Sequence, residues 1–311
     1  MDLSKLGYNK PLYILPFDHR SAFATELFQK KSLSDLSYEE KELIKEFKML
    51  IYKGIKKAVE KAVPKENAGI LVDEEFGEEV LLDAKRNGFI TILTIEKSGQ
   101  EEFNFMYENF KEHIEKFKPD FVKVLIQYNP KDSQDLKERQ QKNLKIISDY
   151  AHENNYKFLL EVLVLPTKEQ LNKVNGEREA YDRKLRPELT IEVIKTFQAK
   201  GIEPDIWKLE GMETAIDYSG VISEVRSGGR ESVGVVILGR GAKEEKVQEW
   251  LRIGARVNGV IGFAVGRTIF WDVIEKFYKG EMGKASVIEV ISKKFESFYK
   301  VFNFSLSKST S

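Results

Sequence analysis

The sequence predicts an α/β fold, a single (β/α)8 TIM barrel with additional C-terminal helices. Eight short apolar segments, each rich in Val, Ile, Leu and Phe, recur along the 311 residues. Charged amphipathic stretches separate them, which is typical of parallel strands joined by helical crossovers. Eight strands is also the number that closes such a barrel. An open doubly wound sheet is the alternative, but no G-x-G-x-x-G follows the first strand.

The predicted strands are short apolar runs bounded by Gly, Pro, Asp or Asn, as expected for strands buried on both faces of a parallel sheet. In chain order they are 12-LYILPF-17, 69-GILVD-73, 89-FITILTI-95, 121-FVKVLI-126, 157-KFLLEVLVLP-166, 205-DIWKLE-210, 233-VGVVILG-239 and 257-VNGVIGFAVG-266. The segments between and after them combine charged residues with apolar residues at helical spacing. The helices predicted there are 39–63, 78–88, 101–117, 134–154, 188–201, 212–225, 243–255 and 268–280.

We expect one domain over residues 1–311, because the chain has no linker, low-complexity segment or internal repeat. The barrel is expected over about 11–280, a C-terminal helix over about 285–303, and a disordered tail over 304–311. The longest connecting segments follow the first and fifth strands. Barrel enzymes place their substrate loops at these carboxyl ends.

Composition argues against several classes of protein. The 50 Lys and Arg residues balance the 50 Asp and Glu residues, which disfavours capture of nucleic acid or of an anionic membrane. Cysteine is absent, so disulfides and thiolate chemistry are excluded, and the three histidines are too scattered to suggest a metal site. No apolar run approaches the ~20 residues of a membrane span, and no signal-peptide pattern opens the chain. We therefore expect a cytoplasmic protein.

Charged residues within the predicted strands indicate a functional site. Lys123, Glu161 and Lys208 interrupt strands four, five and six, where a charge costs energy unless it is paired or functional. Further acidic residues stand at the ends of the first three strands: Asp18, Asp73, Glu74 and Glu96. These side chains are expected to ring one end of the barrel. The alternative is a buried ion-pair network that only satisfies its own charges.

Two lysines separated by a single strand favour amine chemistry. Desolvation together with a neighbouring cation lowers the pKa of a lysine from ~10.4 toward ~7–8. The resulting free amine attacks a ketone and forms a Schiff base. Glu161, on the intervening strand, would then transfer protons for dehydration of the carbinolamine and for C–C cleavage.

The ends of strands seven and eight predict a phosphate site. Barrels commonly bind phosphate there, at the N-terminus of a short extra helix. Glycines let backbone N–H groups approach the anion, and arginine adds a bidentate clamp. The residues that fit these roles are Gly239, Arg240, Gly241, Gly266 and Arg267.

Several segments together resemble one family of (β/α)8 proteins: LYILPFDHRSAF, LVDEEFG, TILTIEKSG, FVKVLIQYNP, FLLEVLVLP, DIWKLEG and GFAVGRTIFWD. This family is the standalone form of the aldolase-like domain otherwise fused to 5-dehydro-2-deoxygluconokinase in myo-inositol catabolism. That domain is similar to class I tagatose-1,6-bisphosphate aldolase. The resemblance runs from about residue 11 to 275. PFDHR and GFAVGRTIFWD favour the inositol-pathway group, because the tagatose enzymes typically have glutamine where His19 stands.

The resemblance implies a role for individual residues. Lys208 would be the Schiff-base lysine, Lys123 the neighbouring cation and Glu161 the proton-transfer residue. Asp18 would orient or deprotonate the substrate hydroxyl, and Arg267 would hold phosphate. The tagatose enzymes carry serine or alanine with glycine at the end of strand seven. This chain has Gly239-Arg240-Gly241 there and so departs from their pattern.

These observations lead to the hypothesis of a class I aldolase, a carbon–carbon lyase that needs neither metal nor cofactor. Its partner would be a small phosphorylated keto sugar or sugar acid. The first candidate is 2-deoxy-5-keto-gluconate 6-phosphate, which gives dihydroxyacetone phosphate and malonate semialdehyde, and tagatose 1,6-bisphosphate is the second. His19 is expected to line the site, with Arg20 and Arg240 as candidate anion partners.

Two rival hypotheses remain, and the sequence is also compatible with a homo-oligomer. The first rival is a regulatory barrel that binds phosphosugars without turnover. The second is a divalent-metal lyase with Asp73, Glu74 and Glu161 as ligands, since hard cations accept such oxygen sites.

Overall fold

Eight parallel strands form a closed barrel in which each strand pairs with the next in sequence and β8 pairs with β1. The fold is described from a computed structural model over residues 2–307. The strands are β1 (Leu12–Pro16), β2 (Ala68–Asp73), β3 (Ile90–Thr94), β4 (Phe121–Gln127), β5 (Lys157–Leu163), β6 (Ile206–Glu210), β7 (Gly234–Leu238) and β8 (Val260–Ala264). The predicted (β/α)8 fold is therefore confirmed.

Helices cover the outside of the barrel and extend beyond its last strand. They are α1 (Tyr38–Lys61), α2 (Glu74–Arg86), α3 (Phe110–Phe117), α4 (Gln134–Glu153), α5 (Lys168–Asn172), α6 (Arg178–Lys184), α7 (Arg186–Ala199), α8 (Ala215–Val225), α9 (Glu244–Gly254), α10 (Arg267–Tyr278) and α11 (Lys284–Ser307). Within the described residues, no helix combines the length and apolar character that a membrane span requires.

Side chains alternate between the barrel interior and the helical layer, as the twofold period of a strand requires. Phe121, Leu159 and Ile206 belong to a compact interior cluster with residues of the other strands. Their neighbours Val122, Leu160 and Trp207 instead belong to the larger core shared with the helices. The interior cluster fills one end of the barrel with apolar side chains, so polar side chains two residues farther along can face inward only at the carboxyl end.

The C-terminal helices divide their roles. Helix α11 occupies the position of the eighth barrel helix, because Phe295, Phe298 and Phe302 contact the ring of Phe263 on β8. Helix α10 is therefore an extra helix inserted directly after β8. Its N-terminus at Arg267 lies at the carboxyl end of the strands.

The structure differs from the predicted elements in three places, one of which is the predicted loop after β5, where α5 and α6 form. Helix α3 begins only at Phe110, and residues 95–106 form a hairpin-like flap with an antiparallel bridge between Glu96 and Phe105. Phe105 stacks on Phe110 with ring centroids 4.2 Å apart, so this Phe-rich segment buries its rings without a helix. Helix α11 continues to Ser307 and includes the first four residues of the predicted tail. Residues 308–311 lie outside the described residues.

Candidate active site

The two strand lysines point into the barrel. Lys123 and Lys208 follow the interior residues Phe121 and Ile206 by two positions, and Glu161 follows Leu159 in the same way. All three side chains are buried, with 2 %, 4 % and 8 % of Lys123, Lys208 and Glu161 exposed. The prediction that charged residues inside the strands gather at one end of the barrel is confirmed for these three.

Lys123 lies at the centre of a cluster of carboxylates. Its Nζ donates to Asp18 Oδ2 and to Glu96 Oε1, each at 2.7 Å, and lies 3.1 Å from Glu161 Oε2. Among the described residues, Lys208 has a single carboxylate partner, with its Nζ 2.7 Å from Glu161 Oε2. Glu161 therefore bridges the two ammonium groups.

These contacts fix the charge on Lys123. Burial alone would lower the pKa of its ammonium, but the three surrounding carboxylates outweigh burial and raise the pKa well above its usual range. Burial would raise the pKa of the Asp18 carboxyl, yet Lys123 and Lys208 hold that pKa far below its usual range. Burial opposes ionisation of Glu161 as well, and the same two lysines lower the pKa of its carboxyl.

A second layer of buried charge lies behind the first. Lys48 of α1 is fully buried, donates to the carbonyl of Phe17 at 2.9 Å and pairs with Asp73. Arg20 donates to the carbonyl of Glu96 at 2.6 Å, and its Nε lies 3.9 Å from Asp73 Oδ1. Sequence analysis missed Lys48, although it stands on the apolar stripe of α1 with Ile44.

The two layers together are electrically balanced. The four carboxylates are Asp18, Asp73, Glu96 and Glu161, and the four cations are Arg20, Lys48, Lys123 and Lys208. A neutral total allows the group to be buried without an external counter-ion. It also means that a proton passing between two members leaves the net charge of the group unchanged.

A cavity of about 140 Å³ opens onto the first layer. Asp18, Glu96, Lys123, Glu161 and Lys208 line it, together with residues 19–20 after β1 and 97–100 after β3. Three buried polar atoms of lining residues have no hydrogen-bond partner among the described residues: His19 Nδ1, Arg20 Nε and Glu96 Oε2. Buried polar atoms are usually hydrogen-bonded, so these three are available to water or to a ligand in the cavity.

His19 lines this cavity as predicted from the sequence. Its ring meets the ring of Phe270 edge-on, with centroids 5.7 Å apart. Burial lowers the pKa of His19 to about 4, with further lowering from the charges of Lys208 and Arg267 and opposition from Asp18. The side chain is thus neutral near pH 7 and lies close to both the lysine cluster and the N-terminus of α10.

Three of the five predicted phosphate residues line a second cavity, of about 490 Å³, between the loops that follow β7 and β8. Arg240, Gly241 and Arg267 line it. The Arg267 guanidinium stacks on Trp271, 4.5 Å from the ring centroid, and pairs with Glu26. Arg267 is one-third exposed, so an anion from solvent can reach it in competition with Glu26.

The glycines of this region have separate backbone roles. Gly241 has a left-handed φ of +68°, which a side chain would strain. A Cβ on Gly266 would lie 2.1 Å from the carbonyl oxygen of Pro16, so only glycine allows β8 to leave the barrel so close to β1. Gly239 lies between Val247 and Val265 at the end of β7.

Arg20 and Arg240 are engaged within the protein, which differs from their predicted use as anion partners. Arg240 donates to Glu210 Oε1 at 2.6 Å and to Asp182 Oδ1 at 3.1 Å. Arg20 is 3 % exposed and holds the second charge layer described above. Both guanidinium groups therefore have partners within the fold, and Arg240 in addition lines the second cavity.

The three carboxylates of the metal-lyase hypothesis do not converge. Asp73 pairs with Lys48, Glu161 with the two strand lysines, and Glu74 with His113 and Lys116 of α3. Between residues 2 and 307 there is no group of three His, Cys, Asp or Glu side chains that could hold a metal ion.

Residues 5–305 match the family described as "Uncharacterized protein conserved in bacteria (DUF2090)". The chain belongs to the DUF2090 family. No curated protein matches this DUF2090 chain.

Two solved structures show how widely the fold of this DUF2090 protein is shared. Cgl0159 from Corynebacterium glutamicum is 14 % identical with a TM-score of 0.55, and the match covers 94 % of this chain and 88 % of that one. An archaeal fructose 1,6-bisphosphate aldolase is 13 % identical with a TM-score of 0.59, and the match covers 97 % and 99 % of the two chains. At such identities the likeness establishes the TIM-barrel fold, which an aldolase shares.

Proposed function

We propose that this DUF2090 protein is a class I aldolase in which Lys208 forms a Schiff base with a phosphorylated keto sugar or keto sugar acid. The observation that carries the proposal is the unequal pairing of two buried lysines. Lys123 lies among three carboxylates and stays charged, whereas among the described residues Lys208 pairs with Glu161 alone. We therefore assign the lysine on β6 as the nucleophile.

The first step is transfer of a proton from Lys208 to Glu161, over a contact of 2.7 Å. Because Lys208 and Lys123 lower the pKa of the Glu161 carboxyl, Glu161 holds this proton only transiently. The free amine of Lys208 then attacks the ketone carbon and forms a carbinolamine. Protonated Glu161 returns its proton to the carbinolamine hydroxyl, which leaves as water and gives the iminium ion.

Cleavage then needs a carboxylate that takes the proton of the substrate hydroxyl, and Asp18 and Glu161 both line the cavity. We assign this step to Asp18, which pairs with Lys123, whereas Glu161 pairs with the Schiff-base lysine itself. Asp18 takes the proton of the substrate hydroxyl that becomes the aldehyde, the C–C bond breaks, and its electron pair passes into the iminium to form an enamine. Protonation and hydrolysis of the enamine release the ketone product and restore Lys208.

Phosphate would bind at the N-terminus of α10, through Arg267 and backbone N–H groups near Gly239, Gly241 and Gly266. Helix N-termini and guanidinium groups both favour phosphate. We leave Arg20 out of this phosphate site, since it is buried behind the first charge layer. Arg240 lines the same cavity as Arg267 and, like Arg267, would have to exchange a carboxylate partner for the phosphate.

The proposed substrate is 2-deoxy-5-keto-gluconate 6-phosphate, with tagatose 1,6-bisphosphate as the second candidate. The support is the resemblance of segments such as PFDHR and GFAVGRTIFWD to the aldolase-like domain of myo-inositol catabolism. Both substrates would release dihydroxyacetone phosphate, so one phosphate site and one Schiff-base lysine serve either.

Reductive trapping tests this proposal. Dihydroxyacetone phosphate is added with borohydride, and peptides are mapped by mass spectrometry. We expect a stable adduct on Lys208, and neither an adduct nor cleavage in Lys208→Met. Lys131→Met is the matched control, because Lys131 is an exposed lysine after β4 that does not line the cavity.

Three results would contradict the aldolase. If Lys208→Met still cleaved either substrate, Lys208 could not be the nucleophile. If EDTA abolished cleavage, the divalent-metal lyase would be favoured. Binding of phosphosugars without release of dihydroxyacetone phosphate from either candidate would favour the regulatory barrel.

A further inference from the structure

We propose that Lys97, at the carboxyl end of β3, binds a second anionic group at the end of the substrate that leaves as the aldehyde. This inference rests on the proposed aldolase function and assigns a residue to the far anion that both candidate substrates carry. The site would accept ketoses or keto acids that are anionic at both ends.

Among the described cations that line the cavity, Lys97 is the one without a carboxylate or carbonyl partner for its side chain. The other lining cations, Lys123, Lys208 and Arg20, each contact a carboxylate or carbonyl of the protein. Lys97 is exposed at the mouth, and within residues 2–307 no carboxylate pairs with it. Its charge is therefore available to a ligand without breaking an existing ion pair.

The residue before it shows that a ligand is expected at this strand end. Glu96 is only 6 % exposed, and its Oε1 accepts from Lys123 while its buried Oε2 has no donor. A buried carboxylate oxygen without a donor is costly. A substrate hydroxyl reaching Glu96 would supply that donor and would place the next atoms of the chain beside Lys97.

The backbone around Lys97 is held in place from two sides. The Lys97 N–H donates to the carbonyl of Asn104 at 3.0 Å within the flap of residues 95–106. Ser98 then joins the flap to the loop after β1, with its Oγ 2.8 Å from Ser21 Oγ. The backbone that carries Lys97 is thus joined to the loop that carries Asp18 and His19.

Strand order fixes the direction in which the substrate lies. In a ring of eight strands, β3 and β7 are four positions apart and face each other across the mouth. The phosphate site proposed above lies after β7 and β8, and Lys208 is on β6. A substrate held by phosphate at one side and attached to Lys208 would direct its other end toward β3, where Lys97 stands.

Binding of two matched ligands tests the inference without turnover. Calorimetry compares tagatose 1,6-bisphosphate with tagatose 1-phosphate, which lacks the far anion, in a Lys208→Met background. We expect the bisphosphate to bind more tightly, and Lys97→Gln to remove about tenfold of that preference. Lys131→Gln, which changes an exposed lysine outside the cavity, should keep the preference.

The outcomes separate this inference from the proposed function. No preference for the bisphosphate, or an equal preference in Lys97→Gln, overturns the role of Lys97. The Lys208 adduct with dihydroxyacetone phosphate should form equally in Lys97→Gln, because that ligand has no far end. Absence of this adduct from the unaltered protein overturns the aldolase. A preference for the bisphosphate that depends on Lys97 would then show an anion site, but not a site for the end of a cleaved substrate.

Discussion

Lys123 and Lys208 illustrate how neighbours, rather than residue type, assign chemical roles. Both ammonium groups are buried at the same end of the barrel, but one lies among three carboxylates and the other contacts one. The sequence identified both lysines because a charge within an apolar strand is conspicuous. The strand pattern alone could not rank them, and only the family resemblance gave Lys208 the nucleophilic role, since the difference in pairing depends on Asp18 and Glu96, which come from other strands.

Lys48 and Lys97 mark the limit of prediction at the residue scale. Lys48 stands in a helix full of lysines, where only its place on the apolar stripe distinguishes it. Lys97 lies in a turn, and its place at the cavity follows from the path of the flap. Neither residue interrupts an apolar run, so the signal that revealed Lys123 was absent.

Glu26 is expected to restrain Arg267 and thereby weaken phosphate binding. Glu26→Gln should free the guanidinium and tighten binding of inorganic phosphate or dihydroxyacetone phosphate severalfold, because the anion no longer displaces a carboxylate. Calorimetry measures the change. Glu275→Gln is the matched control, since Glu275 forms a similar exposed pair with Lys279 on the same α10. Unchanged affinity in Glu26→Gln would place phosphate away from Arg267.

At the scale of elements, the strands were predictable and the segments that shape the mouth were not. Each strand is a local apolar run, and each long helix has local periodicity, so neither depends on distant contacts. The flap of residues 95–106 depends on pairing of Glu96 with Phe105 and on stacking of Phe105 on Phe110. Its mixture of phenylalanines and charged residues is also typical of an amphipathic helix, so the sequence predicted a helix there.

The segment between β5 and α7 is attached to the barrel by two arginines. Arg186 donates to Asp182 Oδ1 at 3.0 Å and to the carbonyl of Gly211 at 2.7 Å. Arg240 connects Asp182 of α6 with Glu210 at the end of β6. The sequence predicted a substrate loop here, and the structure adds that it contains two short helices fixed to β6 and β7.

Arg240→Met should loosen this segment. Because Asp182 and Glu210 would lose a shared cation, we expect amide exchange across residues 168–184 to quicken by about tenfold or more, equivalent to ~1.4 kcal/mol. Hydrogen exchange with mass spectrometry measures it, and Arg252→Met on the exposed face of α9 is the control. Unchanged exchange accompanied by weaker phosphate binding would instead support the sequence-based role of Arg240 as an anion partner.

At the scale of the whole molecule, stability and chemistry occupy opposite ends of the barrel. The apolar interior cluster separates the lysine site from the amino ends of the strands. At that second end, Asp205 accepts from the N–H groups of Gly7 and Phe158 and from Lys157, each at 2.8 Å. Gly7 is 198 positions away in sequence, which is why no local pattern revealed this closure.

Asp205→Asn should destabilise the protein without altering the active site. Removing one member of a buried charged network costs roughly 3 kcal/mol of unfolding free energy. Urea denaturation measures the change, and Schiff-base trapping on Lys208 should persist in the folded variant. Asp149→Asn, which alters an exposed pair with Lys145, is the control. A loss below about 0.5 kcal/mol would show that the network does not close the barrel.

Asp205 should also make the unfolding free energy depend on pH. Burial opposes ionisation of Asp205, but hydrogen bonds and charge from His152 and Lys157 hold the pKa of its carboxyl below the usual value of 3.8. When the pKa of a carboxyl is lower in the folded than in the unfolded protein, its ionisation stabilises the fold at pH values above the unfolded pKa. This stabilisation is lost as the pH falls through the folded pKa. Unfolding free energy should therefore fall below about pH 4, and less steeply in Asp205→Asn.

The equal numbers of buried positive and negative groups around the cavity constrain how this protein can be altered. Replacing any one of the eight members by a neutral side chain leaves an oppositely charged group buried without a partner, which lowers the stability of the fold. Redesign of the pocket would consequently have to proceed by exchanging an acid and a base together, and members of the family that differ at one of these positions should differ at a second as well.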